Sequence, residues 1–272
     1  MAPALASTLL LQNKHAVIFG ASGAIGTAVA KEFAAQGARV FLSGHRLAPV
    51  EQVADEIQKD GGIAYAAEVD ALDEQAVQAY LDGVAQEVGS IDILLNVMGP
   101  QPKEYGNATN TLELPLEQFL LPFTTLVPSQ FITARAAARH MVQQHSGIIL
   151  FVTSLPSRGF SPNAAAIGAA FGAMESLLRC LAADLSPQGV RVVGLRPGAM
   201  PETRTIQQTL DTMVETLGVR PEHIMSMLEQ KTLLGRLSTV ADTARLAAFL
   251  ASDGAQTITG AIVNASSGAV ID

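Results

Sequence analysis

The chain has 272 residues, enough for one large α/β domain with a full core, and its net charge of −8 disfavours nucleic acid or an anionic membrane surface as a main partner. Hydrophobic residues make up 49% and charged residues 15%, which points to surface buried by self-association. Cys180 is the single cysteine, so the chain holds no disulfide framework and no cysteine-based metal cluster, and Cys180 reads as a small buried apolar residue. Residues 1–13 lack the basic start and long apolar core of a signal peptide, and no apolar run reaches spanning length without polar interruption. These features predict a soluble, cytoplasmic protein with no membrane partner.

The chain is organised around Val17-Ile18-Phe19-Gly20-Ala21-Ser22-Gly23-Ala24-Ile25-Gly26. An apolar run from Ala16 to Phe19 reads as a buried strand. A glycine-rich turn stops it. A helical pattern follows at once, with Ile25, Val29 and Phe33 on one face and Gly37 where it ends. Strand, glycine turn and helix together form a phosphate-binding corner of the dinucleotide type. Free N–H groups and partial positive charge at the helix start attract a pyrophosphate, and glycines let it come close. The spacing is Gly-x-x-Gly-x-x-Gly rather than Gly-x-Gly-x-x-Gly.

Further strands are predicted at 38–43, 63–69, 91–97, 148–153, 190–195 and 258–263. Helices are predicted at about 48–59, from the cap Asp73 to 88, and at about 129–144, 164–185 and 239–251. Prolines keep interrupting 100–130, which reads as irregular. Residues 199–237 read as a polar, methionine-containing insertion that serves as a substrate lid. Alternating strands and helices predict a single doubly wound Rossmann-type domain, with a seven-stranded parallel sheet flanked by helices and a ligand crevice at the strand C-termini.

The whole chain resembles the short-chain dehydrogenase/reductase family. Its markers are Gly20-Ala21-Ser22-Gly23-Ala24-Ile25-Gly26 for the glycine motif and Asp70-Ala71 for the adenine-contact pair. Asn96-Val97-Met98-Gly99 stands where the family has Asn-Asn-Ala-Gly. Ser154 ends the fifth strand and Pro197-Gly198 the sixth. The resemblance implies cofactor contacts from Gly20, Ser22, Gly23, Ile25, Gly26, Asp70, Ala71, Asn96, Val97, Gly99, Pro197 and Gly198.

The family also carries a Tyr-x-x-x-Lys pair after the serine, in which the lysine lowers the tyrosine pKa for proton exchange with the substrate. At the family's spacing those positions are Ile167 and Phe171. No tyrosine follows Tyr105, and no lysine lies between Lys103 and Lys231. The family's supporting asparagine falls near Leu126. Ser154 remains, either as a partner of a substrate oxygen or as a strand-end cap. Arg158 reads as an anion contact or a surface arginine. Glu104 and Tyr105 read as crevice contacts or as a solvated loop. His140 and His145 show no carboxylate partner and no metal spacing, and no metal is expected.

The second strand ends in Phe41-Leu42-Ser43-Gly44-His45-Arg46, with no acid between Arg39 and Val50. An NAD site places an acid there for the ribose 2′-hydroxyl. His45 and Arg46 suit a 2′-phosphate instead, so NADP(H) is expected ahead of NAD(H). The expected function is an NADP(H)-dependent oxidoreductase with a divergent proton donor, acting on an apolar small molecule. The alternatives are a non-redox cyclase, isomerase or lyase on the same fold, or a silent partner subunit. The resemblance also implies a homodimer or homotetramer formed through the helices on either side of the fifth strand.

Overall fold

Each apolar run becomes a strand, and the amphipathic runs between them become helices. The computed structural model describes residues 9–159 and 161–271; residues 1–8, on which the leader expectation partly rests, lie outside them. In chain order the elements are β1 (His15–Phe19), α1 (Ala24–Ala35), β2 (Arg39–Gly44), α2 (Leu47–Lys59), β3 (Ile63–Glu68), α3 (Glu74–Val88) and β4 (Ile93–Asn96). There follow α4 (Leu116–Thr124), α5 (Leu126–Gln144), β5 (Gly147–Val152), α6 (Ala165–Leu185), β6 (Val190–Pro197), α7 (Arg204–Leu217), α8 (Pro221–Gln230), α9 (Val240–Ala251) and β7 (Ile262–Ala265).

The seven strands form one parallel sheet in the order β3-β2-β1-β4-β5-β6-β7. The order reverses between β1 and β4, which opens a crevice at their C-terminal ends. Val17, Ile18, Leu94, Leu95, Ile149 and Leu150 are buried because a parallel sheet is covered on both faces. One face packs under α1, α2 and α9 through Phe33, Val53 and Ala247. The other packs under α3, α5 and α6 through Leu81, Met141 and Met174.

Several boundaries move for local reasons. β7 begins at Ile262, not at 258, because Thr259 Oγ1 takes the Val192 N–H at 3.1 Å and Gly260 turns left-handed at φ +67. The region 100–130 holds a helix, α4. Pro115 is its N-cap and Pro128 lies in the first turn of α5, where no N–H partner is needed. Asp73 caps α3 as predicted, accepting from Gln75 and Ala76 N–H.

Three readings are corrected. Cys180 is exposed on α6 rather than buried. Tyr105 is buried at 3% exposure rather than solvated, and burial pushes its phenol up to about 12. His140 does meet a carboxylate: Asp82, far back in the sequence on α3, places Oδ1 2.8 Å from its Nε2. Residues 165–188 are also long and apolar enough to cross a membrane by length and composition. In the fold this stretch carries the buried Glu175, and α6 packs on β6.

Candidate functional site

The glycine corner is built from close approaches. Gly20 has φ +75, and a Cβ there would lie 2.8 Å from Met98 N, so the end of β1 crosses the end of β4 without a side chain between them. A Cβ on Gly26 would lie 2.4 Å from Gly20 O, so α1 packs directly on the turn. Gly23 is the N-cap of α1 and supplies no side-chain cap, and no acid stands in the first turn. The first N–H groups of α1 are therefore left for an anion. Ser22 and Gly23 are exposed beside them, and Ile25 is half-buried against the core.

At the end of β2, a Cβ on Gly44 would lie 3.0 Å from Val50 Cγ2 and 3.9 Å from Ser22 Oγ, so the turn packs closely under α2 and its backbone lies near the glycine corner. His45 and Arg46 are exposed there and form no ion pair among the described residues. Asp70 is exposed after β3 and accepts the Leu72 N–H at 2.9 Å, while Ala71 is buried.

β4 ends in Asn96, which is 1% exposed. Its Oδ1 accepts the Met98 N–H at 2.9 Å and its Nδ2 donates to Thr133 Oγ1 at 3.1 Å. Gln130 holds its carbonyl from α5 at 2.7 Å. Val97 donates its N–H to Phe19 O, which fixes β4 beside β1, and a Cβ on Gly99 would meet Leu126 at 3.5 Å. Pro197 closes β6. Gly198 N donates to Ser238 Oγ at 3.3 Å.

Ser154 leaves β5 in extended conformation and is half-buried. Its Oγ has no hydrogen-bond partner among the described residues. The loop bearing it crosses the start of α6, where a Cβ on Gly168 would meet Pro156 O at 3.1 Å. Ile167 and Phe171 are half-buried on α6 and pack against the adjoining core. Arg158 is exposed on the same loop, and Glu104 is exposed and accepts the Gln101 N–H at 2.5 Å.

Sequence reasoning missed what lies beneath this loop. Glu175 on α6 pairs with Arg196 on β6, and both are buried. Glu175 Oε1 also accepts from Thr153 Oγ1 at 3.1 Å and lies 2.5 Å from Ser157 Oγ. Ser157 Oγ is 2.6 Å from Ser154 O as well, so its single proton serves one acceptor at a time. An arginine just before Pro197-Gly198 and a lone glutamate in a small-residue helix were the only sequence signals.

Above the crevice, α7 is latched to the segment after β4. Arg204 donates to Gln101 Oε1 at 2.8 Å, and Asn107 donates to Thr209 Oγ1 at 3.0 Å. Gln208 Oε1 on the same helix is buried without a partner among the described residues. No cluster among those residues has the make-up of a metal site.

Residues 20–269 match the family described as enoyl-(acyl carrier protein) reductase. The chain is also 32% identical over 262 residues to the 7α-hydroxysteroid dehydrogenase of Escherichia coli K12, covering 96% of each chain. This chain belongs to the short-chain dehydrogenase/reductase family. Solved structures agree. NAD+-bound xylitol dehydrogenase matches with a TM-score of 0.86 at 25% identity, over 95% of this chain and 99% of that one. A 7α-hydroxysteroid dehydrogenase complexed with NADH and 7-oxo glycochenodeoxycholic acid matches with a TM-score of 0.84 at 31% identity, over 96% of each. The relatives are oxidoreductases. In this family member the free helix start and the close Gly26 packing fit a dinucleotide.

Proposed function

We propose that this chain is an NADP(H)-binding oxidoreductase with a non-standard active site, acting on a largely apolar small molecule. The observation that carries the reading is the acid-free, uncapped start of α1, packed by Gly26 onto Gly20. NADP(H) is favoured because Arg46 and His45, exposed and without ion pairs among the described residues, stand at the end of β2 where no acid does.

The residues of the chain divide the work. The α1 N–H groups take the pyrophosphate, and Asp70, Ala71, Asn96, Val97 and Gly99 border the remainder of the dinucleotide. When bound, the nicotinamide supplies hydride chemistry. Ser154 Oγ, free of protein partners, donates to a substrate oxygen. Ile167 and Phe171 make the crevice drier and carry no proton. The family's Tyr-x-x-x-Lys pair is lacking, so the proton comes from water, from Ser154 or from the substrate itself. Loss of the lysine also removes a ribose contact and lowers cofactor affinity. The similarity to a 7α-hydroxysteroid dehydrogenase supports a largely apolar ligand.

Calorimetric titration with NADPH and NADH tests the reading. NADPH is expected to bind more tightly, and Arg46→Ala to weaken NADPH by about tenfold, the worth of one charge-assisted hydrogen bond, with NADH nearly unchanged. Binding of neither cofactor would overturn the dinucleotide reading, and equal or reversed affinities would overturn the NADP(H) preference.

A further inference from the structure

Glu68 ends β3 directly beside Gly44, its Cα partner in the sheet. Its Oε2 accepts the Leu47 N–H at 3.1 Å. The carboxylate therefore reaches across the turn from β2 into α2 and is held there by the first N–H of that helix. Its other oxygen makes no hydrogen bond among the described residues, and the carboxylate forms no ion pair with Arg46 or His45. The same turn is the place from which β2 lacks an acid.

We propose that Glu68 sets cofactor choice by standing in for that missing acid from the neighbouring strand. This inference rests on the dinucleotide reading above. A carboxylate anchored through one oxygen accepts a ribose 2′-hydroxyl through the other. The same carboxylate repels a 2′-phosphate that Arg46 attracts. Two opposed charges at one turn make the NADP(H) preference narrow and keep NAD(H) competent. The signal in the sequence was indirect, because Glu68 lies far from residues 39–50 along the chain and joins them only through the β2–β3 register.

The test is Glu68→Gln, whose amide oxygen still accepts the Leu47 N–H and so keeps the helix start. Titration of the unsubstituted and substituted chains with NADH and NADPH, at low and high salt, reads the effect, alongside the unfolding midpoint. NADPH affinity is expected to rise about tenfold and NADH affinity to fall, with the NADPH gain shrinking in high salt. Glu68→Asp, which keeps the charge, is expected to retain most of the discrimination against NADPH. Two unchanged affinities, or two affinities that move together, would overturn this inference alone. Binding of neither cofactor to the unsubstituted chain would overturn it together with the dinucleotide reading.

Discussion

Arg196 grips Glu175 with a fork: Nη2 stands 3.0 Å from each carboxylate oxygen, and Nε stands 3.2 Å from Oε1. Arg196 is 3% exposed and Glu175 5%. The pair joins the end of β6 to α6, and Thr153 and Ser157 add the end of β5 and its loop. Removing one partner leaves an uncompensated buried charge. Glu175→Gln is expected to cost about 3–5 kcal/mol in urea unfolding. Glu175→Gln with Arg196→Met removes both charges and keeps an acceptor for Thr153 and Ser157. That double variant is expected to recover most of the loss. A single variant as stable as the parent would show that the pair is not closed in solution.

Asp242 offers a pH test. It sits in the capping box at the start of α9, accepting from Arg236 at 2.8 Å and Arg245 at 2.7 Å, with Thr239 Oγ1 accepting its own N–H. The Arg236 hydrogen bond holds its carboxyl well below the usual carboxylate range. A lowered folded pKa means stability that is full above the unfolded value of about 3.9 and is lost as pH falls toward the folded value. Asp242→Ala is expected to cost about 1 kcal/mol at neutral pH, the ordinary worth of a cap. The difference from the parent should shrink in unfolding curves taken below about pH 4. A difference that grows on acidification would contradict the assignment.

How far the sequence was legible follows the range of each interaction. The strands at 15–19 and 147–152 are runs of apolar residues bounded by glycine, and local patterning exposes them. The caps Asp73 and Thr239 bond within three residues of themselves, so they too are legible. α4 was hidden because proline was read as a breaker, although its N-cap accepts Pro115 and the helix carries Pro122 in its interior. Tyr105 could not be placed, since its burial depends on segments distant in the chain. Glu175 and Arg196 lie on a helix and a strand whose meeting only the fold determines, and His140 and Asp82 lie on two helices, α5 and α3, that likewise meet only in the fold. The glycine corner at the start of α1 was legible because it is contained in one βα turn; the pairing of Glu68 with Gly44 was not, because it arrives from the next strand.

Self-association is expected through α5, α6 and the neighbouring α4. Leu116 and Leu120 on α4 and Phe131 on α5 are 70%, 43% and 40% exposed, a large apolar surface to leave in water. The outer face of α6 presents the small residues Ala169, Ser176, Cys180 and Ala183, with the exposed Arg179 beside them. Light scattering at micromolar concentration is expected to give a dimer or tetramer, and Phe131→Asp to shift it toward smaller species. A monomeric parent chain would refute the surface.

The last prediction concerns proton delivery. Ile167 and Phe171 lie one turn apart on α6, and the loop carrying Ser154 crosses that helix at Gly168. Neither side chain can donate a proton or hold a charge. General acid–base help contributes about 10²–10⁴-fold. Turnover of simple ketones with NADPH is therefore expected to fall at least about 10²-fold below that of a relative with the tyrosine and lysine in place. Substrates that need no enzymatic proton, such as conjugated alkenes protonated by solvent, should suffer least. Ile167→Tyr with Phe171→Lys is expected to restore only part of the ketone rate, because the proposed site also lacks a supporting asparagine, whose place by spacing falls near Leu126. Ser154→Ala should lower whatever turnover exists while leaving cofactor titration unchanged, since the role proposed for its hydroxyl is toward the substrate oxygen. Ordinary ketone rates in the unsubstituted chain would mean that another residue gives the proton. The buried phenol of Tyr105, kept neutral by its surroundings, would then be the first residue to replace with phenylalanine.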